Sequence, residues 1–153
     1  MTESLQDTYG PETMCFGCGP ANARGLQIKS YVDGDTVVAD FTPEPHHQAF
    51  PGAINGGIIG SLLDCHSNWT AAWHLMQGRG DGKLPVTVTA EFHVKLRRPT
   101  PADVPLHLVA RVVESDDPRA IVEATLEAEG KVCATCRATF IAVEAGHPAY
   151  HRW

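Results

Sequence analysis

The sequence contains no apolar run approaching the roughly 18–20 residues of a membrane span, which argues against an integral helical membrane protein. Met1-Thr2-Glu3-Ser4 carries neither a basic n-region nor an apolar stretch, so no secretory signal is expected. Cysteine is sparse and odd in number: five residues do not make a closed disulfide framework and fit a reducing compartment better. Positive charge is scarce, with 12 Lys+Arg against 18 Asp+Glu and a net charge of −6. That balance speaks against coating nucleic acid or an anionic membrane. Internal repeats, low-complexity tracts and linkers are lacking as well. What remains is ordinary globular material, 43% hydrophobic and 20% charged. At 153 residues it can bury roughly 68–70% of its unfolded surface without disulfide staples. The expectation is one cytoplasmic domain over residues 1–153, with no nucleic-acid or membrane partner.

Residues 1–25 read as irregular, rich in Gly, Pro and Asn, and residues 144–153 as a tail. Leu26–Val32 and Thr36–Phe41 are strand-like runs separated by Asp33-Gly34-Asp35, a hairpin signal. Pro43, Pro45 and Pro51 argue against regular structure from Thr42 to Ala53. Residues 55–77 carry the helical period, opened by Gly56-Gly57 and ended by Gly78 to Gly82. Beyond them, Val86, Val88, Ala90, Phe92, Val94 and Leu96 alternate with Thr87, Thr89, Glu91, His93, Lys95 and Arg97, the period of a half-buried strand. Three further alternating segments, over 106–112, 122–128 and 132–140, follow with short turns between them. Short turns between alternating strands imply an antiparallel meander. The fold class is therefore α+β: a curved antiparallel sheet of about six strands wrapped around one long central helix.

That helix has an unusual second face. Ile58, Ile59, Leu62, Leu63, Trp69 and Trp73 form one broad apolar face. The other carries Gly57, Gly60, Ser61, Asp64, Asn68 and Ala71. An exposed helix face is normally rich in Lys and Glu. Small residues there imply close approach by a backbone or a ligand, with Asp64 the sole ionisable group inside that contact.

The element order, together with particular residues, resembles the hotdog fold, and within it the PaaI-like acyl-CoA thioesterases. Three segments carry the resemblance. Cys15-Phe16-Gly17-Cys18-Gly19-Pro20 with Gly25-Leu26 is similar to the N-terminal loop of one branch of that family. His47 to Gly57, followed six residues later by Asp64, is similar to its active-site segment. Leu96-Arg97-Arg98-Pro99 and the Gly130-Lys131-Val132 hairpin are similar to its later strands. The match runs over about residues 15–143. The resemblance implies hydrolysis of an acyl-CoA to free acid and CoA, no cofactor beyond the CoA of the substrate, and a homodimer or homotetramer with the active site between subunits. In this family His commonly precedes the two glycines, whereas this chain has Asn55.

Thioester hydrolysis needs a nucleophile or general base and a donor for the developing oxyanion. A helix start offers free N–H groups and a positive dipole end. The Gly57 N–H, with that of Gly56, is thus the candidate oxyanion donor. Asp64, two turns on, can attack the thioester or activate water, and the resemblance puts the family's catalytic carboxylate there. Asn55 can orient the carbonyl or cap the helix, but it cannot shuttle protons as His does. Ser67 and Asn68 lie three and four residues past Asp64, where they would share its side of the helix. They are candidate substrate contacts, as is His47. Arg97 and Arg98, with Lys95 and Arg24, could hold CoA phosphates or simply end a solvated strand. His66 points to the other side and reads as a core histidine, and Cys65 likewise as core.

Cys15-x2-Cys18 and Cys133-x2-Cys136 superficially resemble a four-cysteine zinc pattern. Three apart in a strand, however, Cys133 and Cys136 face opposite sides. Cys15 and Cys18 would then need His46 or His47 as partners, and the expectation is no metal. A non-catalytic acyl-CoA binder and a hotdog hydratase or dehydratase are the alternative functions. Hydration typically pairs a carboxylate with a His. Asn55 replaces the obvious His, and His46 or His47 could supply one.

Overall fold

The structure, a computed structural model, describes residues 3–153. The elements are α1 (Leu5–Tyr9), β1 (Tyr31–Asp33), β2 (Thr36–Phe41), a 3-10 turn (Pro45–His47), β3 (Gln48–Phe50), β4 (Ala53–Ile54), α2 (Gly56–Arg79), β5 (Val86–Leu96), β6 (Leu106–Asp116), β7 (Arg119–Ala128) and β8 (Lys131–Val143). Six strands form one antiparallel sheet in the order β1-β2-β6-β7-β8-β5. The long helix α2 lies on it, touching β2, β5, β6, β7 and β8. This is the α+β arrangement expected from the periodicities. Among the described residues no helix is long and apolar enough to cross a membrane.

Alternation along the meander strands builds the core. Leu106, Leu108, Val122, Leu126, Ala134 and Phe140 are fully buried, against Ile59, Leu62, Leu63 and Trp69 of α2. Asn55 caps α2, and Gly80 ends it in the left-handed conformation at φ 70°, which suits glycine. The helix therefore runs through Gly78 rather than stopping at it.

Four expectations need correction. Residues 1–25 are not wholly irregular: Ser4 caps the short α1, whose Leu5 is fully buried. The first hairpin strand is only Tyr31–Asp33 rather than the whole of Leu26–Val32, since residues 26–30 are drawn back against the N-terminal loop by Leu26 N–H to Phe16 O (2.7 Å) and Ile28 N–H to Gly17 O (3.1 Å). The proline-rich stretch does hold regular structure: Pro45 opens a 3-10 turn, and the β3–β4 ribbon places its prolines outside the strands. Most consequentially, β5 does not keep one alternation. A bulge between Thr89 and Glu91 shifts its register against β8. Thr87 and Thr89 face α2 before it, while Phe92 and Val94 do so after it. One extra residue flips every later side chain.

The middle of α2 is covered by protein. From Cys65 to Ala72 the helix is buried all round. The N-terminal loop lies on it so closely that a Cβ on Gly17 would sit 2.3 Å from the Cys65 sulfur. The tail docks too: Trp153 stacks on Trp69 with ring centroids 4.5 Å apart, and the Arg152 guanidinium donates to Thr87 O at 3.2 Å. A buried polar chain fixes the same contact. Gln6 Nε2 donates to Ser30 Oγ (2.9 Å), and Ser30 Oγ lies 2.8 Å from His66 Nδ1. His66 Nε2 lies 2.9 Å from Val37 O. A carbonyl only accepts, so Nε2 carries the proton and Nδ1 accepts from Ser30. Burial lowers the His66 pKa to about 4, keeping the ring neutral. His66 is the core histidine that its helical position suggested.

Candidate active site

Covering the middle of α2 leaves its first two turns open. There Gly56, Gly57, Gly60 and Ser61 face Phe92, Val94 and Leu96 of β5 across a groove of ≈ 320 Å³, with Asp64 in its wall. The glycines make the helix side of the groove bare backbone. Phe92 (45% exposed) and Leu96 (58% exposed) make the strand side apolar and open. Gly56 and Leu96 also border a second hollow lined by Phe50, Ile54, Arg97 and Arg98, although Arg97 Nε donates to Thr135 Oγ1 at 3.3 Å.

Asp64 is half-buried. Thr89 Oγ1 donates to its Oδ1 at 2.7 Å. Oδ2 has no protein donor among the described residues. Burial raises the Asp64 pKa, while the Thr89 hydrogen bond and the Arg152 charge pull it back. The result is a carboxylate with one oxygen held and one free, more basic than an exposed Asp.

Asn55 spends its side-chain oxygen on the helix. Oδ1 accepts from Gly57 N–H (2.8 Å) and Ile58 N–H (3.2 Å). Its own N–H is held by His47 O at 2.9 Å. The Gly57 N–H assigned as oxyanion donor is therefore not free in this arrangement, because the cap chosen to stabilise the helix consumes it. With Oδ1 turned to the backbone, the Nδ2 donors of Asn55 point away from the capped N–H groups.

No protein-family model and no curated protein matches the chain. Solved structures do. A thioesterase superfamily protein from Shewanella loihica PV-4 is 32% identical, over 82% of this chain and 98% of that one, with a TM-score of 0.67. The chain belongs to the thioesterase superfamily. A second superfamily member is 25% identical, over 92% of this chain and 68% of the other, with a TM-score of 0.69. The PaaI protein of the E. coli phenylacetic acid degradation operon is 17% identical, over 81% and 85% of the two chains, with a TM-score of 0.67, and shows a shared fold. The fold is thus the hotdog fold that the sequence resembles.

Within this superfamily member, the residues singled out from sequence divide in two. Asp64, Gly56 and Gly57 line the groove, Arg97 and Arg98 border its continuation, and Asn55 caps the helix where the groove begins. Ser67, Asn68 and His47 do not meet in it. Ser67 is fully buried, next to Cys136. Asn68 is buried and bonded to Thr87 through both ends of its amide. His47 is buried, and its Nδ1 accepts from Glu44 N–H at 3.0 Å. A position three or four residues after Asp64 shares its side of the helix, but one turn deeper that side is already covered by β5 and β8. Thr89 was missed, since the alternation placed it on the outer face and only the bulge turns it toward Asp64.

A second group was also missed. The Sγ atoms of Cys15, Cys18 and Cys65 lie within 4.8 Å of one another, with Cys15 and Cys65 3.7 Å apart. The neighbouring Cys18 and Cys65 thiols favour the Cys15 thiolate, holding it well below the ordinary thiol range. One ionised sulfur then opposes the next, and Cys18 and Cys65 are pushed up.

Proposed function

We propose that the protein is a PaaI-like acyl-CoA thioesterase, with Asp64 as nucleophile or general base. The observation that carries this is Asp64 itself, a half-buried carboxylate with one free oxygen in the wall of an apolar groove. The groove starts at a helix N-terminus and ends at two arginines. The acyl chain lies along Phe92, Val94 and Leu96. The CoA phosphates lie toward Arg97 and Arg98, whose guanidinium geometry suits phosphate oxygens. Thr89 holds Oδ1 so that Oδ2 faces the thioester carbon, and the raised pKa brings the carboxylate nearer the range of a working base. In the water route, Oδ2 takes a proton from water and the oxygen adds to the carbonyl carbon. The C–S bond then breaks, and CoA leaves as the thiolate. In direct attack the same oxygen adds to the carbonyl carbon, the C–S bond breaks with CoA leaving as the thiolate, and water then opens the resulting anhydride to free acid and the Asp64 carboxylate. The developing oxyanion is met by Asn55 Nδ2 and the positive end of α2 at Gly56, with the Gly57 N–H joining when Asn55 releases it.

The working form is a homo-oligomer. β5 is an eleven-residue edge strand, paired among the described residues only with β8, and edges of that length are normally covered. Exposed Phe50, Phe92 and Leu96 lie beside it. A second copy on this edge would close the groove between subunits, as would a dimer of such dimers.

The test is hydrolysis of short, long and aromatic acyl-CoAs by the intact protein and by Asp64→Asn, with free CoA quantified by chromatography because five cysteines would react with a thiol dye. Turnover of one acyl class, abolished by a folded Asp64→Asn, is the expected result. The captured Gly57 N–H favours one other reading, a non-catalytic acyl-CoA binder. Binding without turnover of any substrate would decide for it.

A further inference from the structure

We propose that Cys15, Cys18 and Cys65 together bind one zinc ion that ties the N-terminal loop to α2. This goes beyond the thioesterase reading and rests on other atoms. Two of the sulfurs come from one glycine-containing turn, closed by Gly19 N–H to Cys15 O at 2.8 Å, and the third comes from the helix. Zinc–sulfur bonds of ~2.3 Å in a tetrahedron put sulfurs ~3.8 Å apart. The Cys15–Cys65 separation is 3.7 Å, and all three atoms lie within 4.8 Å of one another. The loop can come this near only because residue 17 has no side chain: a Cβ there would sit 2.3 Å from the Cys65 sulfur.

A second observation points to bound thiolates. The Trp69 indole is fully buried, and its Nε1–H has no hydrogen-bond partner among the described residues. The indole lies beside Cys18 in the core. A buried donor without an oxygen partner is costly unless its acceptor carries charge. Three such sulfurs cannot all be charged without a cation between them. Zinc binding displaces to solvent the protons that the thiols still hold, and three thiolates around Zn²⁺ leave one net negative charge shared by the centre. Cys15 is only partly buried, which gives the ion a way in and leaves the fourth coordination position to water or another small donor. Cys133 and Cys136 are also free and buried but lie outside the group, as do His46 and His47.

The decisive experiment is elemental analysis of the tag-free full chain, purified anaerobically with reductant in zinc-supplemented medium. About one zinc per chain is expected, lost in Cys65→Ser and retained in Cys133→Ser. Because Cys65→Ser removes a buried side chain, a second measurement uses the unaltered protein. Co²⁺ titrated into chelator-treated protein should give thiolate-to-cobalt absorbance and tetrahedral d–d bands saturating at one equivalent. Zinc at background together with no thiolate–cobalt absorbance overturns the proposal. So does a Cys15–Cys65 or Cys15–Cys18 disulfide found by mass spectrometry under those conditions. Neither readout involves acyl-CoA, so loss of the metal site and loss of the thioesterase reading are told apart.

Discussion

Asn55 is where stability and activity can be pulled in opposite directions. Its Oδ1 satisfies two N–H groups at the start of α2, at 2.8 and 3.2 Å. Truncation to Ala removes that cap and should cost ~1 kcal/mol. Asn55→Asp keeps an acceptor in the same place and adds a negative charge at the positive end of a 24-residue helix, which contributes ~0.3–1 kcal/mol in its favour. Stability should therefore run Asp at least equal to Asn, with Ala below both, read from urea midpoints followed by tryptophan fluorescence. Activity should run differently. If Asn55 Nδ2 meets the developing oxyanion, Asp replaces a donor with an anion. Loss of one such donor costs ~10²–10³-fold in kcat, and the repulsion adds to it. Ala also loses the donor but frees the Gly57 N–H, so part of the loss returns. The expected order for kcat is Asn, then Ala, then Asp. An Asp variant as active as the parent, or one that outperforms Ala in both assays, would refute the role given to Nδ2.

Three further outcomes follow from the same geometry. Thr89→Val removes the hydroxyl that holds Asp64 Oδ1 and should lower kcat while leaving KM nearly unchanged; a change confined to KM would place Thr89 in substrate binding instead. His66 is neutral in the fold with a pKa of about 4 against an ordinary 6.5, packed on Ser30 and Val37 with the charge of His107 adding to the effect of burial. The unfolded chain binds the extra proton between those values, so this contribution, worth roughly 3 kcal/mol, is complete above pH 6.5 and is lost as pH falls toward 4; urea midpoints that stay flat over that range would contradict it. Light scattering at micromolar concentration should give a dimer or larger, and a monomer that hydrolyses acyl-CoA at full rate would rule out a site shared across β5.

Period and turn spacing carried the architecture, because a half-buried strand and a two-sided helix each write their burial into the sequence at 2.0 and 3.6 residues. Part of the small-residue face of α2, at Asn68 and Ala71, was legible as covered, while Gly57, Gly60 and Ser61 line the open groove. The cover itself was not legible, since the loop from Cys15 to Gly19 has no period, and only its approach to Cys65 reveals what Gly17 is for. The site was legible as far as it lies on regular backbone. Asp64, Gly56 and Gly57 follow from the helix, and Arg97 and Arg98 from the end of a strand. Thr89 was not, because a one-residue bulge leaves no mark on an alternating pattern yet exchanges the two faces of β5. Ser67 and Asn68 failed for a related reason. Helical spacing gives direction around the axis but not depth along it, and one turn past Asp64 the same side of α2 is already closed by Thr87 and Cys136. The bulge and that closure act together. The switch at Ala90 sends Thr87 and Thr89 inward to hold Asn68 and Asp64, then turns Phe92, Val94 and Leu96 onto the bare glycines. One inserted residue thereby separates a polar wall that fixes the carboxylate from an apolar wall that can receive an acyl chain.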